Sequence, residues 1–182
     1  MDQPISIETR RLLLRPLFLA DAEEFFAYRS LPEVGLFQSW QPETIEEVQA
    51  FLTKSESAAP DTPDSWYQLA ICLPDGRLIG DIGIHTLDHD QLELGYTLSP
   101  SFQGMGYATE AVHAIIREAF TVWNTHRIAA SVDPDNRASI RLLERLGFRR
   151  EAHLIKSYWT GDRWADDCIY AMLREEYRNL DR

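Results

Sequence analysis

The sequence is short of cysteine and of positive charge. Its 182 residues hold two cysteines, Cys72 and Cys168, and 18 Lys+Arg against 29 Asp+Glu, a formal net charge of -11. Two thiols so far apart do not make a disulfide scaffold and fit a reducing compartment. The shortage of basic residues argues against nucleic acid as the main partner, because phosphate contacts need a basic face. No apolar run approaches the roughly 18 residues that span a bilayer, so no membrane partner is expected. The opening stretch MDQPISIETRRLLLRP lacks a basic segment followed by an apolar one. It therefore does not read as a secretory signal, and a cytoplasmic location is expected. No histidine pair has metal-ligand spacing with a third ligand, so no metal is expected. There is no internal repeat and no low-complexity tract.

The chain has enough apolar material for a core, with 45% hydrophobic and 26% charged residues. Its length reads as one domain over 1–182. Strands are expected over Arg10–Leu17, Trp66–Leu73, Leu78–Leu87, Gln91–Leu98, Arg127–Val132, Phe148–Trp159 and Trp164–Leu173. Helices are expected over Ala20–Ser30, stopped by Pro32, and over Thr44–Glu56, where Thr44 and Glu47 form a capping box. A third runs from Gly106, with Ala108, Ala111, Val112, Ile115, Ile116, Ala119 and Phe120 on one stripe, and a fourth over Asn136–Leu146, ended by Gly147. Ser55–Ser65 reads as a surface loop, Thr160-Gly161-Asp162 as a hairpin turn, and Arg174–Arg182 as a short helix or frayed tail. The order implies an α/β fold: a mixed, largely antiparallel sheet of about six to seven strands with helices on both faces.

The chemistry concentrates in Gln103-Gly104-Met105-Gly106-Tyr107-Ala108, between a strand and the best helix. Two glycines let backbone approach a ligand, and the helix that follows offers free N–H groups and a positive dipole end to an anion. A plain tight turn is the competing reading. A Walker A loop is excluded because Tyr107 and Ala108 stand where Lys and Ser/Thr are needed. A dinucleotide fingerprint is excluded because Thr109 stands at its third glycine.

What remains, Gln-x-x-Gly-x-Ala, resembles the acetyl-CoA motif of the GNAT superfamily of N-acetyltransferases. The likeness continues through Thr9–Arg15, Ser39-Trp40-Gln41-Pro42, Leu92-Glu93-Leu94-Gly95-Tyr96, Asn136-Arg137-Ala138-Ser139, Leu142–Phe148 and Gly161–Tyr170, in order. Within the superfamily these stretches are most similar to the RimJ/RimL-like branch, which acetylates ribosomal-protein N-termini.

The resemblance implies an acyltransferase fold and acetyl-CoA as co-substrate. It places backbone amides of Gln103, Gly104, Met105, Gly106, Tyr107, Ala108 and Thr109 around the pyrophosphate. The strand from Glu93 to Leu98 takes the pantetheine arm and splays from Ile128–Val132 to admit the thioester. Asn136 and Ser139 face the arm and the sulfur, and Arg137 and Arg141 are candidates for the adenosine phosphates. The reaction implied is direct attack of a primary amine on the thioester, with no covalent enzyme intermediate. A backbone N–H near Tyr96 or Thr97 serves the oxyanion, and Ser139, with Tyr96 as second choice, supplies the leaving-group proton. Glu93 is the candidate base, acting through water. The need for it depends on the acceptor: an α-amine is about 14% neutral at pH 7, a lysine amine about 0.04%. Trp40, joined by Phe37, and His85 are candidates for the acceptor pocket; the competing reading for Trp40 is a core anchor. Cys72 and Cys168 read as buried and inert. The acceptor is a protein N-terminus or a small amine such as a polyamine or aminoglycoside. A non-catalytic acyl-CoA sensor is the alternative, and a homodimer is expected on general grounds.

Overall fold

The computed structural model describes residues 5–56, 62–88, 90–161 and 163–180. His89, Asp162 and residues 57–61 of the expected surface loop lie outside the described residues. The chain folds around one eight-stranded sheet. In sequence its strands are β1 (Ile7–Glu8), β2 (Leu13–Pro16), β3 (Ser65–Cys72), β4 (Leu78–Thr86), β5 (Gln91–Leu98), β6 (Arg127–Val132), β7 (Arg149–Trp159) and β8 (Trp164–Leu173). Their spatial order is β1-β2-β3-β4-β5-β6-β8-β7. Every pairing is antiparallel except β5 with β6.

The helices are α1 (Ala22–Arg29), α2 (Pro32–Gly35), α3 (Ile45–Glu56), α4 (Tyr107–Thr121), α5 (Arg137–Arg145) and α6 (Arg174–Leu180). They divide between the faces as strand alternation dictates. Ile82, Ile84, Leu92 and Leu94 face the stripe of α4, Ala111, Val112, Ile115, Ile116 and Ala119, together with Leu142 and Leu143 of α5. Ala70, Cys72 and Leu78 face Phe25 and Tyr28 of α1 and Val48 and Leu52 of α3. Among the described residues no helix is long and apolar enough to cross a membrane.

The sheet has eight strands where about six to seven were expected. The extra one, β1, is two residues long and pairs through Ile7↔Leu14 and Glu8↔Leu13; it is too short to show an alternation. The strand expected from Arg10 starts at Leu13, because Thr9 to Leu12 form a turn closed by the Thr9 N–H on the Leu12 carbonyl (2.9 Å). Pro32 ends α1 as expected, yet it also opens α2 from the first helical position, where its missing N–H costs nothing. The expected capping box is half formed: the Glu47 N–H donates to Thr44 Oγ1 (3.3 Å), but the Glu47 carboxylate accepts from the Glu43 N–H (2.9 Å).

Beneath α1 lies a buried ion pair. Arg29 Nη2 donates to Asp81 Oδ2 (2.8 Å) and the Tyr28 hydroxyl to Asp81 Oδ1 (2.6 Å). The two charged side chains are 11% and 2% exposed. The other Arg29 amino group donates to Gln38 Oε1 (3.0 Å), tying the segment after α2 to the sheet.

Candidate active site

The glycine loop is built by two left-handed residues, Gly104 (φ 74°) and Gly106 (φ 80°). Side chains on Cβ disfavour this conformation, so glycine is what allows the chain to turn twice and enter α4. The Gln103 N–H bonds the Pro100 carbonyl (3.2 Å), and the next committed amide is that of Glu110, on the Gly106 carbonyl (3.0 Å). Between them the amides of Gly104, Met105, Gly106, Tyr107, Ala108 and Thr109 donate to no described protein group. Six consecutive free donors at a helix start form an anion cradle. The Gln103 amide, expected in the cradle, is used inside the loop, and its side chain Nε2 donates to the Leu98 carbonyl (3.1 Å).

Beside the loop the sheet opens. Strands β5 and β6 pair only at Gln91↔Arg127, Leu92↔Ile128 and Glu93↔Ala129. Beyond Glu93, β5 stays on β4 as far as Gly80↔Leu98, while β6 follows β8 to Val132↔Cys168. The β6-facing edge of Leu94–Leu98 is therefore left without a strand partner.

Two cavities adjoin the gap. One, of about 510 Å³, is lined by the loop from Gln103 to Thr109 except Met105, by Tyr96, Thr97 and Leu98, and by α5. The other, of about 590 Å³, is lined by Trp66, Glu93 to Tyr96, Ala130 to Asp133 and the β7–β8 hairpin. Phe37, Gln38, Tyr96, Asn136 and Ser139 line both.

The shared residues include two hydroxyls in contact. Tyr96 Oη and Ser139 Oγ are 2.7 Å apart, and either can donate. Burial pushes the Tyr96 phenol up to about 12, against the opposing effect of its bond to Ser139. It therefore keeps its proton at neutral pH and is a hydrogen-bond donor, not a base. Asn136 fixes Ser139 from behind: it caps α5, its Oδ1 accepting from the Ser139 N–H (3.1 Å).

The second cavity is acidic. Among the described residues, Glu93, Asp133, Asp166 and Asp167 line it against one arginine, Arg163. Asp166 accepts from the Lys156 N–H (2.9 Å) and contacts His153 Nε2 (2.8 Å). These bonds hold its carboxyl below the ordinary range. Asp167 accepts from the Ser131 hydroxyl (2.7 Å). Glu93 is 3.2 Å from His85 Nδ1, and His85 Nε2 is 3.4 Å from Asp64 Oδ1.

Leu98, Gln103, Gly104, Gly106, Tyr107, Ala108 and Thr109 come together on the first cavity, Glu93 on the second, and Tyr96, Asn136 and Ser139 on both. Met105 does not line either; the residue is 55% exposed. Arg137 is exposed and absent from the lining, while Arg141 and Arg145 are on it. A step of four residues advances about 40° around a helix, enough to carry Arg137 off the cavity arc. Trp40 is not a wall: its ring packs on Phe51 (centroids 4.9 Å apart) against the α1–α3 core. Trp66 takes that place. It stacks on His85 (4.8 Å, 14°), so His85 sits behind the wall and touches the cavity only through Trp66 and Glu93. Gly83 on β4 makes room for the indole: a Cβ there would come within 2.9 Å of it, whereas one at its register partner Gly95 on β5 would make ordinary contact at 3.8 Å. Glycine inside a strand marks such a close approach, and that was the available sequence signal for Trp66.

Free amides at the start of a helix thus lie beside two strands that part after three register pairs, and comparison with known proteins places this arrangement in a family. Residues 11–149 match the family described as Acetyltransferase (GNAT) domain. The chain is 33% identical over 178 residues to the uncharacterized N-acetyltransferase YnaD of Bacillus subtilis (strain 168), covering 94% of this chain and 98% of that one. It is 29% identical over 91 residues to the spermidine N(1)-acetyltransferase of Vibrio cholerae, covering 50% and 53%. A GNAT-family acetyltransferase structure from Bacillus anthracis superimposes with a TM-score of 0.86 at 29% identity, covering 94% of this chain and 99% of that one. The chain belongs to the GNAT acetyltransferase family and is an acetyl-transferring enzyme.

Proposed function

We propose that this enzyme transfers the acetyl group of acetyl-CoA to a primary amine, by direct attack with both substrates bound. The observation that carries this reading is the Tyr96–Ser139 hydroxyl pair, which belongs to both cavities. The residues on the loop side fit acetyl-CoA. Six free amides and the start of α4 suit its pyrophosphate, the unpaired edge of Leu94–Leu98 suits the amides of its pantetheine arm, and Arg141 and Arg145 suit its outer phosphate. Bound acetyl-CoA supplies an activated acyl group with a thiolate leaving group.

The chain supplies the rest. The Tyr96–Ser139 pair donates to the departing sulfur; a phenol held near 12 is a weak acid, so its service is a hydrogen bond first and a proton second. A β5 backbone N–H beyond Glu93 is free to stabilise developing negative charge on the carbonyl oxygen. Glu93, oriented by His85, receives the proton of the incoming amine directly or through water.

The acceptor is a primary amine carried on a cation. The RimJ/RimL-like resemblance favours a protein N-terminus. The four carboxylates around the second cavity favour a compact polycation, the class to which the acceptor in the name of the Vibrio cholerae relative belongs. The test is CoA release, followed by thiol titration, with a panel of spermidine, an aminoglycoside and short peptides with free or blocked N-termini. Turnover with polyamines above that with peptides supports this acceptor. The reverse order returns the enzyme to the N-terminal class. CoA release with no acceptor in the panel removes the amine-transfer reading.

A further inference from the structure

We propose that Arg11, which lies outside both cavities, is a positioning residue for acetyl-CoA: it holds the glycine loop in the conformation that turns its free amides inward. This rests on reading the loop as the pyrophosphate cradle.

Arg11 grips the loop from outside. Its Nη1 donates to the Met105 carbonyl (3.0 Å), and its Nε donates to Glu110 Oε2 (2.6 Å), in the first turn of α4. The Arg11 N–H (2.9 Å) and the Thr9 hydroxyl (2.7 Å) both donate to the other Glu110 oxygen. The guanidinium carbon lies 4.5 Å from the Tyr107 ring centroid. Arginine thus bonds the loop, the helix that follows and the aromatic between them, using its fork and its flat face together. Burial favours a neutral Glu110, but the bonds from Thr9 and Arg11 outweigh it and hold the carboxyl below its ordinary value. The anchor is therefore charged at neutral pH.

The consequence follows from peptide geometry. The peptide between Met105 and Gly106 is trans, so its C=O and N–H point in opposite directions. With the carbonyl on Arg11, the Gly106 N–H points to the other side, that of the cavity which Gly106 lines and Met105 does not. Glycines on both sides of Met105 leave the backbone free to rotate. No described amide bonds the Met105 carbonyl. Without Arg11 no described group holds that oxygen outward, and turned inward it would oppose an anion.

The test compares acetyl-CoA with acetyl-pantetheine, which carries the same thioester but no pyrophosphate. Wild type should use acetyl-CoA at a much lower KM. Arg11→Met should raise the KM of acetyl-CoA about 10- to 100-fold, as loss of hydrogen bonds to a charged group does. It should leave kcat and the KM of acetyl-pantetheine within a few-fold. Arg11→Lys keeps the charge but not the fork, and should recover only part of the loss. A wild type without preference for acetyl-CoA removes the cradle reading itself. A wild type with the preference and an Arg11→Met that retains it overturns the proposal. So does an equal loss on both donors, which marks a general structural defect. If Arg11→Met does not fold, Arg11→Lys decides alone: unchanged selectivity between the donors overturns the role of the fork.

Discussion

The Tyr96 hydroxyl lies 2.7 Å from the Ser139 hydroxyl, joining β5 to α5 where β5 and β6 have parted. Both residues line both cavities, and the proposed reaction predicts a kinetic consequence. Tyr96→Phe should lower kcat about 10²-fold, within the usual range for a proton donor. The KM of acetyl-CoA should change little, because the cradle is untouched. Ser139→Ala should cost less, about tenfold, since the phenol remains. Steady-state kinetics with both substrates varied will separate the two effects. A fall in kcat for Ser139→Ala larger than that for Tyr96→Phe would exchange their roles.

The alkaline behaviour of Tyr96 is a second expectation. Its folded value is raised from the ordinary 10.0 to about 12, so the native state binds more protons than the unfolded chain between those values. Its contribution to stability is therefore intact below pH 10 and is lost as pH rises toward 12. Difference absorbance at 295 nm between wild type and Tyr96→Phe should show a tyrosinate forming near pH 12. Formation near pH 10 would show that the phenol is not buried as described.

The proposed role of Glu93 as acceptor of the amine proton has its own kinetic signature. Glu93→Gln should lower kcat/KM for an amine of high pKa about 10²-fold at neutral pH, and by much less near pH 10, where more of the amine is already neutral. The pH profile of the pair of enzymes tests this. Parallel profiles, with a constant ratio from pH 7 to pH 10, would confine Glu93 to binding.

Stability has its own test in the Arg29–Asp81 pair. Asp81→Asn leaves a guanidinium buried beside a neutral partner, a change that typically costs about 3–5 kcal/mol. At roughly 2–4 °C per kcal/mol for a chain of this size, Tm should fall by about 10 °C. Thermal unfolding measures it. The exposed Arg77–Asp75 pair serves as control, and Asp75→Asn should change Tm by about 1 °C or less.

Much of this fold was legible in the sequence where one periodicity governs a whole element. Strands Gln91–Leu98, Arg127–Val132 and Trp164–Leu173 have the expected bounds, and the apolar stripe after Gly106 is the buried face of α4. The glycine loop was legible for a different reason: its chemistry is in the backbone, and backbone conformation is written in Gly104 and Gly106. The acceptor side was not. Trp40 and Trp66 are chemically alike, and only the tertiary path sends one to Phe51 and the other across Gly83. The choice between Arg137 and Arg141 turns on about 40° of helix phase, which depends on how α5 docks. Strand β1 owes its existence to β2 and has too few residues to announce itself.

Thermal unfolding reports binding of acetyl-CoA to the glycine loop without any acceptor present. Acetyl-CoA at about 100 times its Kd should add roughly 2.7 kcal/mol of stability, a rise of several degrees at this size. ATP and NAD at the same concentration should raise Tm far less. Gly106→Val should abolish the acetyl-CoA shift, because φ 80° is strained for valine and its Cβ would meet Arg11 Nη2 at 3.4 Å. No rise at millimolar acetyl-CoA, or an equal rise with ATP, would contradict the account.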